Sequence, residues 1–156
     1  MPKLHRKTSL LAKIESSYGT DPTPTGSSNY VEVVDLEIEP VASDEVEQET
    51  IRPYPGNYPV LLANTRVNLS FGVFMVGSGS AGTAPKYDPI LKACGLSAAT
   101  VSSTSVTYTP STLATQDSVT LYVNYDGVRH KVTGARGTFS ISCAVNELSL
   151  IHISEP

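Results

Sequence analysis

The sequence predicts an all-β domain: a β-sandwich or partly closed barrel with one short flanking helix. Three observations carry this expectation. Val, Thr, Tyr and Ile supply 47 of the 156 residues and Ser another 19, a composition suited to pleated, half-buried surfaces. Apolar and polar residues alternate at period two in several separate stretches, as half-buried strands require. Pro and Gly, 11 of each, punctuate the chain between those stretches, where it must reverse. The length suits a single domain.

Charge and cysteine content narrow the function classes. With a net charge of -4 and a pI near 5.3, there is no global basic surface to hold nucleic acid by phosphate neutralisation. No apolar run approaches the roughly 20 residues of a membrane span, and Met1 to Lys13 lacks the apolar centre of a signal peptide. A soluble, cytoplasmically made protein with no membrane partner is expected. Cys94 and Cys143 indicate neither a disulfide framework nor a zinc site, and no cofactor or metal is expected.

Residues 1–29 read as an N-terminal arm and loop. Lys3, Arg6, Lys7 and Lys13 stand there without an acid up to Lys13, the pattern of a mobile or partner-bound arm. Leu10, Leu11 and Ile14 suit either a short strand or a helical turn. Tyr18 to Gly26 holds two prolines and two glycines and reads as loop.

Residues 30–147 read as the β domain. Val34, Leu36 and Ile38 alternate with Asp35, Glu37 and Glu39, a half-buried strand. The acids continue beyond Pro40: Glu32, Asp35, Glu37, Glu39, Asp44, Glu45, Glu47 and Glu49 make eight of the fifteen, with no base among them. Such a run is ordinarily a solvated edge or loop. Pro53, Pro55 and Pro59 break pairing until Leu61. Thr65 to Val76 is the longest alternating segment, with Val67, Leu69, Phe71, Val73 and Met75 on one face, and predicts a core strand. Gly77 to Gly82 followed by Lys86 invites a phosphate-loop reading. That motif needs adjacent Gly-Lys and then Ser or Thr, whereas Pro85 precedes Lys86 and Tyr87 follows it.

Asp88 to Cys94 predicts the one helix, with Asp88 as cap, Pro89 at the first helical position and Gly95 closing it. Cys94 falls on its apolar face, a packed thiol. The Asp126-Gly127 turn predicts a two-residue hairpin pairing Tyr125 with Val128, Val123 with His130 and Leu121 with Val132. His130 then sits at the edge of the core as a neutral histidine. Thr138 to Val145 predicts a further strand. The inward face should comprise Val34, Leu36, Ile38, Val67, Leu69, Phe71, Leu121, Val123, Val132, Phe139 and Ile141.

Several segments together resemble the major tail tube proteins of long-tailed bacteriophages and related prophages. They are Leu11-Ala12-Lys13-Ile14-Glu15 with Tyr18-Gly19-Thr20-Asp21-Pro22, the run Gly77 to Pro85 leading to Leu91-Lys92-Ala93-Cys94-Gly95-Leu96, Val106-Thr107-Tyr108-Thr109-Pro110, and Asp126-Gly127 with Gly134-Ala135-Arg136-Gly137. The resemblance implies homohexameric rings stacked into a hollow tube, contacts with other phage tail proteins, and DNA that passes through without tight binding. It implies a place in the virion tail after assembly in the bacterial host cytoplasm, and no catalytic residues. On this reading the eight acids are candidates for the lumen or an interface, and Lys3, Arg6, Lys7 and Lys13 form an assembly arm able to meet the acids of a neighbour.

The end departs from that pattern. Leu148 to Pro156 resembles the translated sequencing-adapter tails of some reading frames, so residues 148–156 are expected to be non-native or truncated. The plain alternative is that Leu148, Leu150, Ile151 and Ile153 form an ordinary last strand. A second function from another class is a monomeric sandwich that binds carbohydrate or acts as an adhesin, with Tyr54 and Tyr58 as stacking surfaces. An enzyme is not expected, because the acids gather along one strand and loop and not around a cleft.

Overall fold

A strand with one apolar face needs a second layer over that face. The computed structural model describes residues 7–48, 50–51, 53–57, 59–112, 115–143, 145 and 149–155, and it has the all-β organisation of a sandwich. In chain order the elements are β1 (Thr8–Ile14), α1 (Gly26–Asn29), β2 (Tyr30–Val31), β3 (Val34–Glu47), β4 (Val60–Phe74) and α2 (Asp88–Ala93). Then follow β5 (Leu96–Val101), β6 (Ser105–Pro110), β7 (Val119–Tyr125), β8 (Val128–Ala135), β9 (Thr138–Ser142) and β10 (Leu150–Glu155). One antiparallel sheet runs β2-β1-β7-β8, a second runs β3-β4-β10-β9, and β5 and β6 form a separate hairpin. Neither helix is long and apolar enough to cross a membrane.

The two larger sheets share one core. Leu10, Leu121 and Val123 of the first meet Leu69, Phe71, Ile151 and Ile153 of the second, and Ile90 and Leu91 of α2 join them. Leu36, Ile38, Val132 and Phe139 pack around that centre. Three expected core residues behave otherwise. Val34 pairs with Gly72, while Glu37 already pairs with Ser70, so a bulge around Asp35, whose φ is +51, turns Val34 to the outer face. There its Cγ2 covers the space beside Gly72, and Val33 packs on the core instead. Ile141 lies in the edge strand β9 and is exposed. Val67 is half-buried and stands apart from the central cluster.

Residues 8–14 are not a free arm. β1 is an interior strand, laddered to β7 from Thr8↔Tyr125 to Ile14↔Val119 and to β2 through Leu10↔Val31. Residues 150–155 form a strand of the second sheet. β10 joins β4 to β9 and buries Ile151 and Ile153, so the ordinary-strand reading describes those residues; Leu148 and Pro156 lie outside the described ones.

The hairpin at Asp126-Gly127 has the expected register in all three pairs. α2 begins one residue earlier than the expected capping pattern, with Tyr87 at the N-cap and Asp88 inside the first turn. The Asp88 carboxylate accepts from Tyr108 Oη at 2.7 Å and pairs with Lys92 Nζ at 2.8 Å, tying the β5–β6 hairpin to the helix. That hairpin sets Leu96, Ala98, Val106 and Tyr108 on one half-buried face; neither it nor the single turn α1 was expected from the sequence.

Two stability outcomes follow from this packing. Phe71→Ala, at a fully buried ring, should cost roughly 3–5 kcal/mol; chemical denaturation with an unchanged midpoint would contradict the shared core. Ending the chain at Ser149 should remove the strand between β4 and β9 and abolish cooperative unfolding, whereas a truncated chain melting like the parent would show that β10 is dispensable.

Candidate functional site

Two backbones remain paired for as long as their ladder continues, whether or not a second layer covers their side chains. β3 and β4 continue well past the sandwich. β10 reaches β4 only from Leu69 to Phe74, but the β3–β4 ladder runs on through Asp44↔Ala63, Glu45↔Leu62, Val46↔Leu61 and Glu47↔Val60. Beyond it the Gln48 amide donates to the Pro59 carbonyl at 3.1 Å. The result is a two-stranded ribbon. β3 passes through Pro40, because β3 is an edge strand and Pro40 falls in the register shift between Glu39 and Ala42, where a missing N–H breaks no ladder bond. A further shift between Ala42 and Asp44 accompanies Asn64 at φ +52, a conformation that Asn tolerates.

Directly opposed residues share a face. Glu45, Glu47, Val60 and Leu62 therefore point one way, and Val46 and Leu61 the other. Leu62 is 61% exposed, Leu61 54% and Val46 50%, so the ribbon presents apolar side chains on both faces. At its base Arg66 Nη1 lies 3.6 Å from Asp44 Oδ1.

The acid run is thereby divided. Glu37 and Glu39 project from the polar outer face of the second sheet, and Glu39 accepts from Asn68 Nδ2 at 2.8 Å. Asp35 is exposed at its bulge. Asp44, Glu45 and Glu47 belong to the ribbon, while Glu32 follows β2. Glu49 lies outside the described residues, as do Lys3, Arg6 and Tyr58. Lys7 Nζ is 3.6 Å from Asp126 Oδ1, and Lys13, in β1, donates to the Pro22 carbonyl at 2.8 Å. Neither basic side chain is brought to the acid run of its own chain.

Distance in sequence hid a second feature. At the end of β4 remote from the ribbon, Val31, Glu32, Val73, Phe74, Val76 and Lys86 line a mainly apolar cleft of about 460 Å³. Its wall from Gly77 to Lys86 is held by Ser78 Oγ donating to the Thr83 carbonyl at 2.8 Å. Gly82, at φ +72, is required there, since a Cβ would lie 2.4 Å from the Ser103 nitrogen. No family model matches the chain, and no curated protein matches it.

Two carboxylates beside β1 have a structural role. The buried Glu15 carboxylate accepts from Thr120 Oγ1 at 2.6 Å and the Gly134 amide at 2.7 Å through Oε1, and from Ser118 Oγ and the Gly19 amide, both at 2.7 Å, through Oε2. Burial pushes its pKa up, but the four donors outweigh burial and hold it below the usual carboxylate value. Nearby, Asp21 accepts from Lys131, Tyr122 and the Thr23 amide, and these donors lower its pKa to about 2. The lone pairs of Glu15 are committed to the fold. The stretch Tyr18 to Asp21 reads as loop, and its donors come from residues about a hundred positions away, which no local pattern reveals.

Because both carboxyls titrate lower when folded than when unfolded, their stabilisation is fully present above about pH 4.5 and is lost as pH falls towards 2. Glu15→Gln, which sets an amide against backbone N–H donors, should cost about 1–3 kcal/mol at neutral pH and reduce the acid sensitivity. Melting curves at pH 7 and pH 3 check both points, and an acid response identical in parent and variant would remove Glu15 from this role.

Proposed function

We propose that this chain is a structural subunit that works by self-association, and that it is a tail tube protein of a long-tailed phage or prophage, forming stacked hexameric rings around a DNA conduit and meeting other tail proteins. The β3–β4 ribbon carries the self-association reading. A two-stranded hairpin is marginally stable in water, and this one leaves aliphatic side chains uncovered on both faces, the character of an interaction surface. The tail tube identity rests on the order of the segments that resemble that family, and the all-β sandwich suits it.

In such a tube the polar outer face of the second sheet, with Glu37 and Glu39 beside Asn68, Ser70 and Ser154, is the surface we assign to the lumen. Carboxylates there repel phosphates and let a duplex slide, where a basic lining would hold it through counterion release.

Analytical ultracentrifugation of the purified chain tests the first step: a mass rising with concentration to ring-sized particles is expected. A strict monomer at high concentration would overturn the reading and favour a monomeric binding module. For the lumen, the parent should bind duplex DNA negligibly even at low salt. Glu37→Lys with Glu39→Lys should create retention that falls as salt rises, and steep salt-dependent capture by the parent would overturn the acidic lining.

A further inference from the structure

The ribbon and the cleft carry complementary chemistry. One ribbon face presents Val60 and Leu62 with the carboxylates of Glu45 and Glu47 beside them. The cleft offers the apolar surface of Val31, Phe74 and Val76, with Lys86 among its lining residues. Among the described residues Lys86, Glu45 and Glu47 make no ion pair. The ribbon carries Asp44, Glu45 and Glu47 against the single base Arg66, so its net charge attracts Lys86. Glu32, also in the cleft, opposes that attraction.

A chain cannot fill its own cleft with its own ribbon. Leu62 and Phe74 are twelve residues apart in the same strand, on the order of 40 Å at the rise of extended chain. Each copy therefore offers a projection at one end of β4 and a receptor at the other.

We infer that the Glu45, Glu47, Val60 and Leu62 face of one copy seats in the Val31, Phe74 and Val76 cleft of a second copy, with Lys86 meeting the ribbon carboxylates. The contact is heterologous, so it repeats until the rotation closes into a ring or continues as a filament. This rests on the self-association proposed above and names both surfaces that perform it.

Sedimentation of the full chain and its surface variants at low salt tests the contact. Lys86→Glu should weaken association at least tenfold, Glu32→Gln should strengthen it, and Lys86→Glu combined with Glu45→Lys and Glu47→Lys should recover most of the loss. In a mixing arm, Leu62→Asp keeps its cleft and Val76→Asp keeps its ribbon. Each alone should fail to build parent-sized particles, while an equimolar mixture should form two-chain particles and nothing larger. Circular dichroism of each variant should match the parent, since all the altered side chains are exposed or line the cleft surface. If the parent associates but neither the charge changes nor the mixture alters its state, the ribbon–cleft contact is wrong and self-association stands. A parent that never associates overturns both.

Discussion

A strand buries its side chains only where a second layer covers them, and β4 is longer than its cover. From Leu69 to Val73 it contributes to the shared core, with Phe71 fully enclosed. From Val60 to Arg66 the same strand continues with β3 as its sole strand partner among the described residues. The β3–β4 ladder resumes after each of its register shifts and runs on to Glu47↔Val60. The apolar side chains of the outer half remain uncovered. The projecting ribbon, its two exposed faces and the separation of ribbon from cleft all follow from this one strand being covered at one end and held only by its ladder at the other.

The first sheet depends on a different device. β1 lies between β2 and β7, and the chain leaves it directly into a loop rich in Pro and Gly. A buried carboxylate without partners would be costly there. Glu15 instead gathers donors from the loop, from β7 and from β8, and Asp21 repeats the arrangement nearer the surface with Lys131 and Tyr122. The loop is thus fastened to the sheet by charge-assisted hydrogen bonds where it has few apolar groups to bury. Arg136 over the Tyr18 ring, at 5.1 Å, adds a further contact from the same side.

The acid-rich segment divides along the fold. Where β3 lies against the sandwich, Glu37 and Glu39 form part of a hydrophilic sheet face; beyond it, Glu45 and Glu47 flank aliphatic side chains on the ribbon. A carboxylate on a broad polar face acts through its field, whereas one beside an uncovered leucine sets the orientation and partner of an apolar contact. On the function proposed above, one run of like charge then serves two roles, divided where β10 stops pairing with β4.

Local chemistry alone determined a good part of this protein. Asp126-Gly127 set the register of β7 against β8, because a two-residue turn fixes which residues oppose each other. Pro89 and Gly95 bracketed α2, and strict alternation marked the inner half of β4. Tertiary structure decided the rest. The bulge at Asp35 reversed Val34, since alternation identifies the residues that share a face only while the register is unbroken. The choice between strand and helical turn at Leu10, Leu11 and Ile14 was settled by β7, the ladder partner of β1, more than a hundred residues away. The acids and prolines around Pro40 concealed the continuation of β3, which tolerates them because it lies at an edge. Turn type and periodicity arise from atoms a few residues apart and can be read along the chain. Whether a face is covered, and by what, depends on segments that meet only after folding.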